Sequence, residues 1–168
     1  MLRPEQRAIA QRRFHLFMLF NVCSFQCLSG NVITLFGLRI GLSNLLLGIL
    51  FSVIPLAQVM PIVGRLFITR IGNVRSMVLF WSGRYIMAAP LLAVALLVSN
   101  GKHVAAVVVL FIGVLGFNLM RGIGMAGMQP LIGYVTTTED RGHFMSRMQL
   151  IIHAMIMTTG LLMSLVLN

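Results

Sequence analysis

The sequence predicts an all-α fold, a polytopic transmembrane helix bundle whose N-terminus lies in the cytoplasm. Three observations predict it. Charged residues make up 10% of the chain and hydrophobic ones 58%, with a mean hydropathy of +0.96, whereas a soluble domain carries about a quarter Asp, Glu, Lys and Arg. Long apolar runs recur at the length a helix needs to cross about 30 Å of hydrocarbon at 1.5 Å per residue. The basic residues gather in short segments between those runs, with alternating weight.

Each element follows in order. Residues 1–13 form a basic cytoplasmic segment with Arg3, Arg7, Arg12 and Arg13. The transmembrane domain, 14–168, holds spans at roughly 14–38, 43–64, 76–99, 104–132 and 147–167. Phe14 to Leu38 is 25 residues without a formal charge. No small-residue cleavage site ends a short core there, so it reads as an uncleaved span and not as a signal peptide. Cys23 and Cys27 lie inside it and read as small apolar packing residues. Asn21, Ser24 and Asn31 fall within about 80° on a helical wheel. Such a stripe faces protein or a watery cavity, as interhelical hydrogen-bonding groups or as solute contacts.

The second span runs uncharged from Gly41 to Gly64 and contains Pro55, Gln58 and Pro61. The third contains Arg84 and Pro90. Arg84 stands about eight residues, roughly 12 Å, from the cytoplasmic start of its span. Two readings are open for it: a cavity-facing charge that binds or gates an anion, or a side chain snorkelling to the headgroups. The fourth span carries Arg121 and the small residues Gly113, Gly116, Gly122, Gly124 and Gly127, a row that lets a neighbouring helix approach. Gln129 and Pro130 sit at its end. In the fifth, His153 is the titratable group at depth.

Orientation comes from the loops. From the N-terminal tail onward the segments between spans carry 4, 1, 3, 1 and 2 Lys or Arg residues. Each odd segment is therefore basic and cytoplasmic. This placement, and not the net charge of +10, decides the partner: the bases face an anionic leaflet, and nucleic acid is excluded. Thirteen Met residues are scattered and read as packing filler, not as a soft-metal set. No nucleophile–base pair, metal-ligand cluster or phosphate loop is present, so no catalytic residue, metal or cofactor is expected and the chain is not an enzyme.

Three segments then carry a resemblance. After the second span comes Gly64-Arg-Leu-Phe-Ile-Thr-Arg70-Ile-Gly72-Asn-Val-Arg75. It resembles the loop between helices two and three of the major facilitator superfamily, with Thr69 where that family usually has an aspartate. Leu119-Met-Arg121-Gly-Ile-Gly-Met-Ala-Gly127 is similar to the family's fourth-helix pattern of Arg followed by a Gly-rich stretch. Pro130-Leu-Ile-Gly-Tyr-Val-Thr-Thr-Thr-Glu-Asp-Arg141-Gly142 resembles the family's cytoplasmic entry to helix five. The resemblance implies secondary transport of a small solute by alternating access, in a fold of two six-helix halves.

Five spans correspond to an incomplete half of that fold, so the expectation is an N-terminal fragment of a longer transporter. A non-transporting five-helix membrane subunit or interaction protein is the alternative. Expected partners are the lipid bilayer, an unidentified small-molecule solute and a chain supplying the missing second half. The expected location is the plasma (bacterial inner) membrane. No span contains Asp or Glu, so a coupling carboxylate would have to come from elsewhere. The candidate substrate-binding or gating residues are Asn21, Asn31, Arg84, Arg121, Gln129 and His153. The candidate loop-motif residues are Gly64, Arg70, Gly72 and Arg75.

Overall fold

A computed structural model describes residues 3–28 and 31–167, the side chains of Asn31, Met163, Ser164, Val166 and Leu167 excepted. The described chain is helical, with no strand among the described residues. Its helices are α1 (Pro4–Cys27), α2 (Asn31–Arg39), α3 (Asn44–Ala57), α4 (Pro61–Ile71), α5 (Asn73–Ala88), α6 (Val94–Ser99), α7 (His103–Met125), α8 (Met128–Val135) and α9 (Arg141–Leu167). Among the described residues three stretches are long and apolar enough to cross a membrane: Pro4–Arg39, Asn73–Ser99 and His103–Met125. A fourth is reached if α3 and α4, bent by 46° against each other, count as one broken span. Five spans were expected; α9, which contains the fifth, 147–167, is not among the stretches that meet this test over the described residues.

The chain divides into two compact units, one of residues 1–33 with 132–168 and one of residues 34–131. In the first, α1 packs against α9. Phe14, Met18 and Val22 recur every four residues on α1 and are buried, as are Phe144 and Met148 on α9. This is the spacing that puts side chains on one helical stripe. The Phe14 and Phe144 ring centres are 5.4 Å apart.

A polar clasp precedes α9. Asp140 Oδ1 accepts hydrogen bonds from the Thr137 backbone N–H (2.5 Å) and hydroxyl (2.9 Å). The Asp140 N–H in turn donates to Thr137 Oγ1 at 3.3 Å, the reciprocal arrangement of a helix-entry box. The Gln11 amide fastens α1 to it, donating to Asp140 Oδ2 and to the Val135 carbonyl, each at 2.9 Å. The Thr137 N–H above all, then the Gln11 amide, the Thr137 hydroxyl and the Arg7 charge, hold the Asp140 carboxyl below its ordinary range.

In the second unit α7 is the shared element, packed against α3, α4, α5 and α6. The predicted row of small residues has this use. A Cβ on Gly124 would stand 2.5 Å from the Trp81 ring, and one on Gly122 would strike the Ala57 carbonyl and lie 2.9 Å from Met60 Cβ. Only hydrogen at those positions lets α3 and α5 come so close.

Three connections turn on glycines with positive φ: Gly41, Gly72 and Gly101. At Gly41 the Leu42 N–H reaches back to the Gly37 carbonyl, and at Gly101 the Lys102 N–H reaches the Leu97 carbonyl, both at 2.9 Å. That closure satisfies carbonyls a helix end leaves open. Gly72, at φ 86° and ψ 158°, occupies backbone space open essentially to glycine alone.

Several boundaries differ from expectation. The second span is not one rod to Gly64: it breaks at Gln58–Met60 and resumes as α4, which runs on to Ile71. Pro61 has no N–H to continue the ladder and opens α4 at its first position. The expected basic loop 65–75 is therefore helical but for Gly72. The third stretch passes through a 3₁₀ turn at Ala89–Ala93, around Pro90. The fourth ends at Met125, short of Ile132, and α8 begins afresh at Met128. Helix also reaches into the expected N-terminal segment, starting at Pro4 with Glu5 in the first turn.

Candidate functional site

The face α5 turns inward carries Ser76, Met77, Phe80, Trp81 and Arg84, all buried. The face α7 turns inward carries Leu110, Val114, Phe117 and Asn118. The same period that hides apolar side chains thus hides Arg84, Asn118 and their surroundings.

Arg84 is 0% exposed. Its guanidinium carbon lies 4.6 Å from the Tyr85 ring centre, 5.2 Å from that of Phe117 and 5.3 Å from that of Trp81. Nη2 donates to the Tyr85 hydroxyl at 2.5 Å. Placing an arginine at the centre of a membrane costs at least about 2.5 kcal/mol, and a desolvated cation–π contact returns about 2 kcal/mol. Three rings are thus of the size needed to hold the charge. The Arg84 side chain is enclosed within the second unit and does not run outward.

Arg121 follows Phe117 by four residues on α7, one turn along the same face. It is half-buried. Between Phe117 and Arg121 stands Asn118, also 0% exposed. Its Nδ2 donates to the Val114 carbonyl at 2.9 Å, while its Oδ1 is buried with no hydrogen-bond partner among the described residues. Arg84 and its aromatic wall thus lie between α5 and α7, with Asn118 and Arg121 beside and one turn beyond Phe117 on α7.

The other candidates do not join this cluster. Gln129 is exposed on α8 and lines a separate groove of about 710 Å³ with Arg65 and Thr69. Asn21 is buried in α1, in the first unit. The Asn31 side chain lies outside the described residues. His153 is exposed, and its Nδ1 meets the Gln149 carbonyl of its own helix at 2.7 Å.

The loop-motif residues divide. Gly64 is buried inside α4, where a Cβ would strike the Ile123 carbonyl and stand 2.6 Å from Ala126 Cβ. Its use is close packing on α7, not a turn. Gly72 is the turn. Arg70 and Arg75 flank it, exposed, at the end of α4 and the start of α5.

Sequence reasoning missed Trp81, Tyr85, Phe117 and Asn118. A signal existed for two of them. Trp81 stands three residues before Arg84 and Asn118 three before Arg121, a distance at which helical side chains meet. Phe117 is joined to Arg84 only by tertiary packing. No protein-family model, no curated protein and no solved structure matches the chain.

Proposed function

We propose that this chain is a membrane-embedded part of a secondary transporter of the major facilitator type, and that Arg84 and Arg121 draw a small anionic solute to the α5–α7 interface. In this reading it is a multi-pass protein of the plasma (bacterial inner) membrane with a cytoplasmic N-terminus. The observation that carries the reading is a guanidinium fully buried in an apolar helical unit against Phe117 of α7, with a second arginine one turn further along α7. Positive charge in low dielectric raises the local potential, which favours an anion there and disfavours a cation. The exterior supports a lipid setting: Leu92 is 85% exposed and Val104 80%, and apolar surface of that kind is costly in water. The bent pair α3–α4 and the glycine-lined contacts of α7 suit helices that slide or rock during alternating access.

The test uses Trp81, the single tryptophan of the chain, which is packed on Arg84. The purified full chain in detergent is titrated with phosphate, sulfate and short mono- and dicarboxylates while tryptophan emission is followed. A saturable change with one class of anion, absent with neutral solutes and lost in Arg121→Gln, is expected. A flat response to every anion would remove the solute site and leave the alternative, a membrane subunit that carries no solute.

A further inference from the structure

The groove between α1 and α9 in the first unit changes chemistry along its length. Arg12, His15, Leu16 and Leu19 of α1 and Arg147 and Ile151 of α9 line it, around about 420 Å³. The order follows the helices. On α1 Arg12 precedes Leu16 by four residues and Leu19 by seven, which keeps all three on one stripe; on α9 Arg147 precedes Ile151 by four. Both helices thus run from a cationic start into an aliphatic continuation.

The cationic end is open to a ligand. Arg12 and Arg147 are exposed, and His15 Nε2 is buried with no hydrogen-bond partner among the described residues. The His15 ring is held 4.7 Å from that of Phe144, so the imidazole is positioned by packing. Gln11, the remaining polar lining residue, is occupied with Asp140 and Val135. None of the lining residues is acidic.

A ligand that fits must be anionic at one end and aliphatic at the other. We infer that the groove holds a phospholipid with an anionic headgroup. The phosphate lies between Arg12 and Arg147 and the first part of one acyl chain lies along Leu16, Leu19 and Ile151. Guanidinium groups take phosphate oxygens in charge-assisted, often paired hydrogen bonds. A free phosphate would use only the first half of the lining. The inference rests on the membrane reading of the chain but not on solute transport.

Native mass spectrometry of the detergent-purified full chain tests it, with phosphatidylglycerol and phosphatidylcholine of identical acyl chains competing at equal concentration. Phosphatidylglycerol should be retained preferentially. Arg12→Gln with Arg147→Gln should remove the preference, by about fivefold per arginine. The paired change Arg3→Gln with Arg13→Gln, which removes two exposed bases outside the groove, should leave it intact. Arg12→Lys with Arg147→Lys should keep most of it, which guards against a folding defect being read as lost binding.

Four results would overturn the proposal. They are equal retention of both lipids, a preference that survives loss of Arg12 and Arg147, an equal loss in the Arg3/Arg13 variant, and displacement of the lipid by glycerol phosphate alone. The last would make the groove a site for a free phosphate compound. Because Trp81 emission is not used, a negative result here is distinguishable from a failure of the solute site.

Discussion

The guanidinium of Arg84 on α5 lies 5.2 Å from the ring centre of Phe117 on α7. The most deeply buried cation of the second unit is thus held across a helix interface and not only within its own helix. The two residues should respond oppositely to truncation. Phe117→Ala opens a void in close-packed surroundings and should destabilise by about 3–5 kcal/mol. Arg84→Met replaces a buried charge by an apolar side chain of similar length and should be neutral or mildly stabilising. Detergent-solubilised melting curves followed by circular dichroism check both. A large loss in Arg84→Met would show that the charge holds the fold.

Arg121 should separate function from folding. It is half-buried, so Arg121→Ala should insert and melt like the parent while abolishing the anion response of Trp81 and, if the proposed transport function holds, uptake by a protein that contains the chain. Uptake at the parental rate by that variant would remove the residue from the mechanism.

Glycine contacts predict a site-specific steric effect. Gly122→Ala places a methyl group against the Ala57 carbonyl and should destabilise by about 1–3 kcal/mol as overpacking does. Gly48→Ala meets nothing within 4 Å and exchanges a poor helix former for the best one, so it should be neutral or gain up to about 1 kcal/mol. Melting temperatures of the pair, measured side by side, read the difference.

Asp140 makes the clasp before α9 sensitive to acid. Its carboxyl is held below the ordinary value of about 3.9 by the Thr137 N–H and the Gln11 amide. A depressed folded value means that the stabilisation is complete above the unfolded value and is lost as pH falls through the folded one. Stability attributable to Asp140 should therefore be flat from pH 7 to about pH 5 and decline below about pH 4. Asp140→Asn should melt lower than the parent at pH 7 and converge with it in acid. A constant gap between the two curves across that range would overturn the assignment.

The alternation of basic segments yields a topology experiment. With Cys23 and Cys27 replaced by Ser, a single cysteine at position 102 should react with a membrane-impermeant maleimide in intact cells. One at position 70 should react only after permeabilisation. The reverse pattern would invert the orientation inferred from the loop charges.

Some helix limits were legible and others were not. The second stretch was expected from residue 43 and begins at Asn44; the third was expected to end at residue 99 and ends at Ser99; the fourth was expected from residue 104 and begins at His103. Length, apolarity and glycine at the turns suffice for that much. The break at Gln58–Met60 was not legible, because Pro55 stays inside α3 whereas Pro61 opens α4, and composition does not tell a tolerated proline from an interrupting one. The aromatic enclosure of Arg84 was half legible. Trp81 and Tyr85 come from its own helix, but Phe117 arrives from 33 positions away, and only packing reveals it. Gly64 shows the same limit from the other side: its place in the sequence suggests a turn, and its contacts with Ile123 and Ala126 show a packing surface.

One residue, Gly72, is all the chain between α4 and α5, and the Phe67 and Phe80 rings brace the two helices edge to face at 4.9 Å. A link that short and a brace that close leave α4 little freedom to swing alone. Straightening or deepening the 46° bend between α3 and α4 therefore drags α5 with it, and α5 carries Arg84 one turn from its C-terminal end. The bend and the buried charge are the two ends of a single lever, with its stiff joint at Gly72.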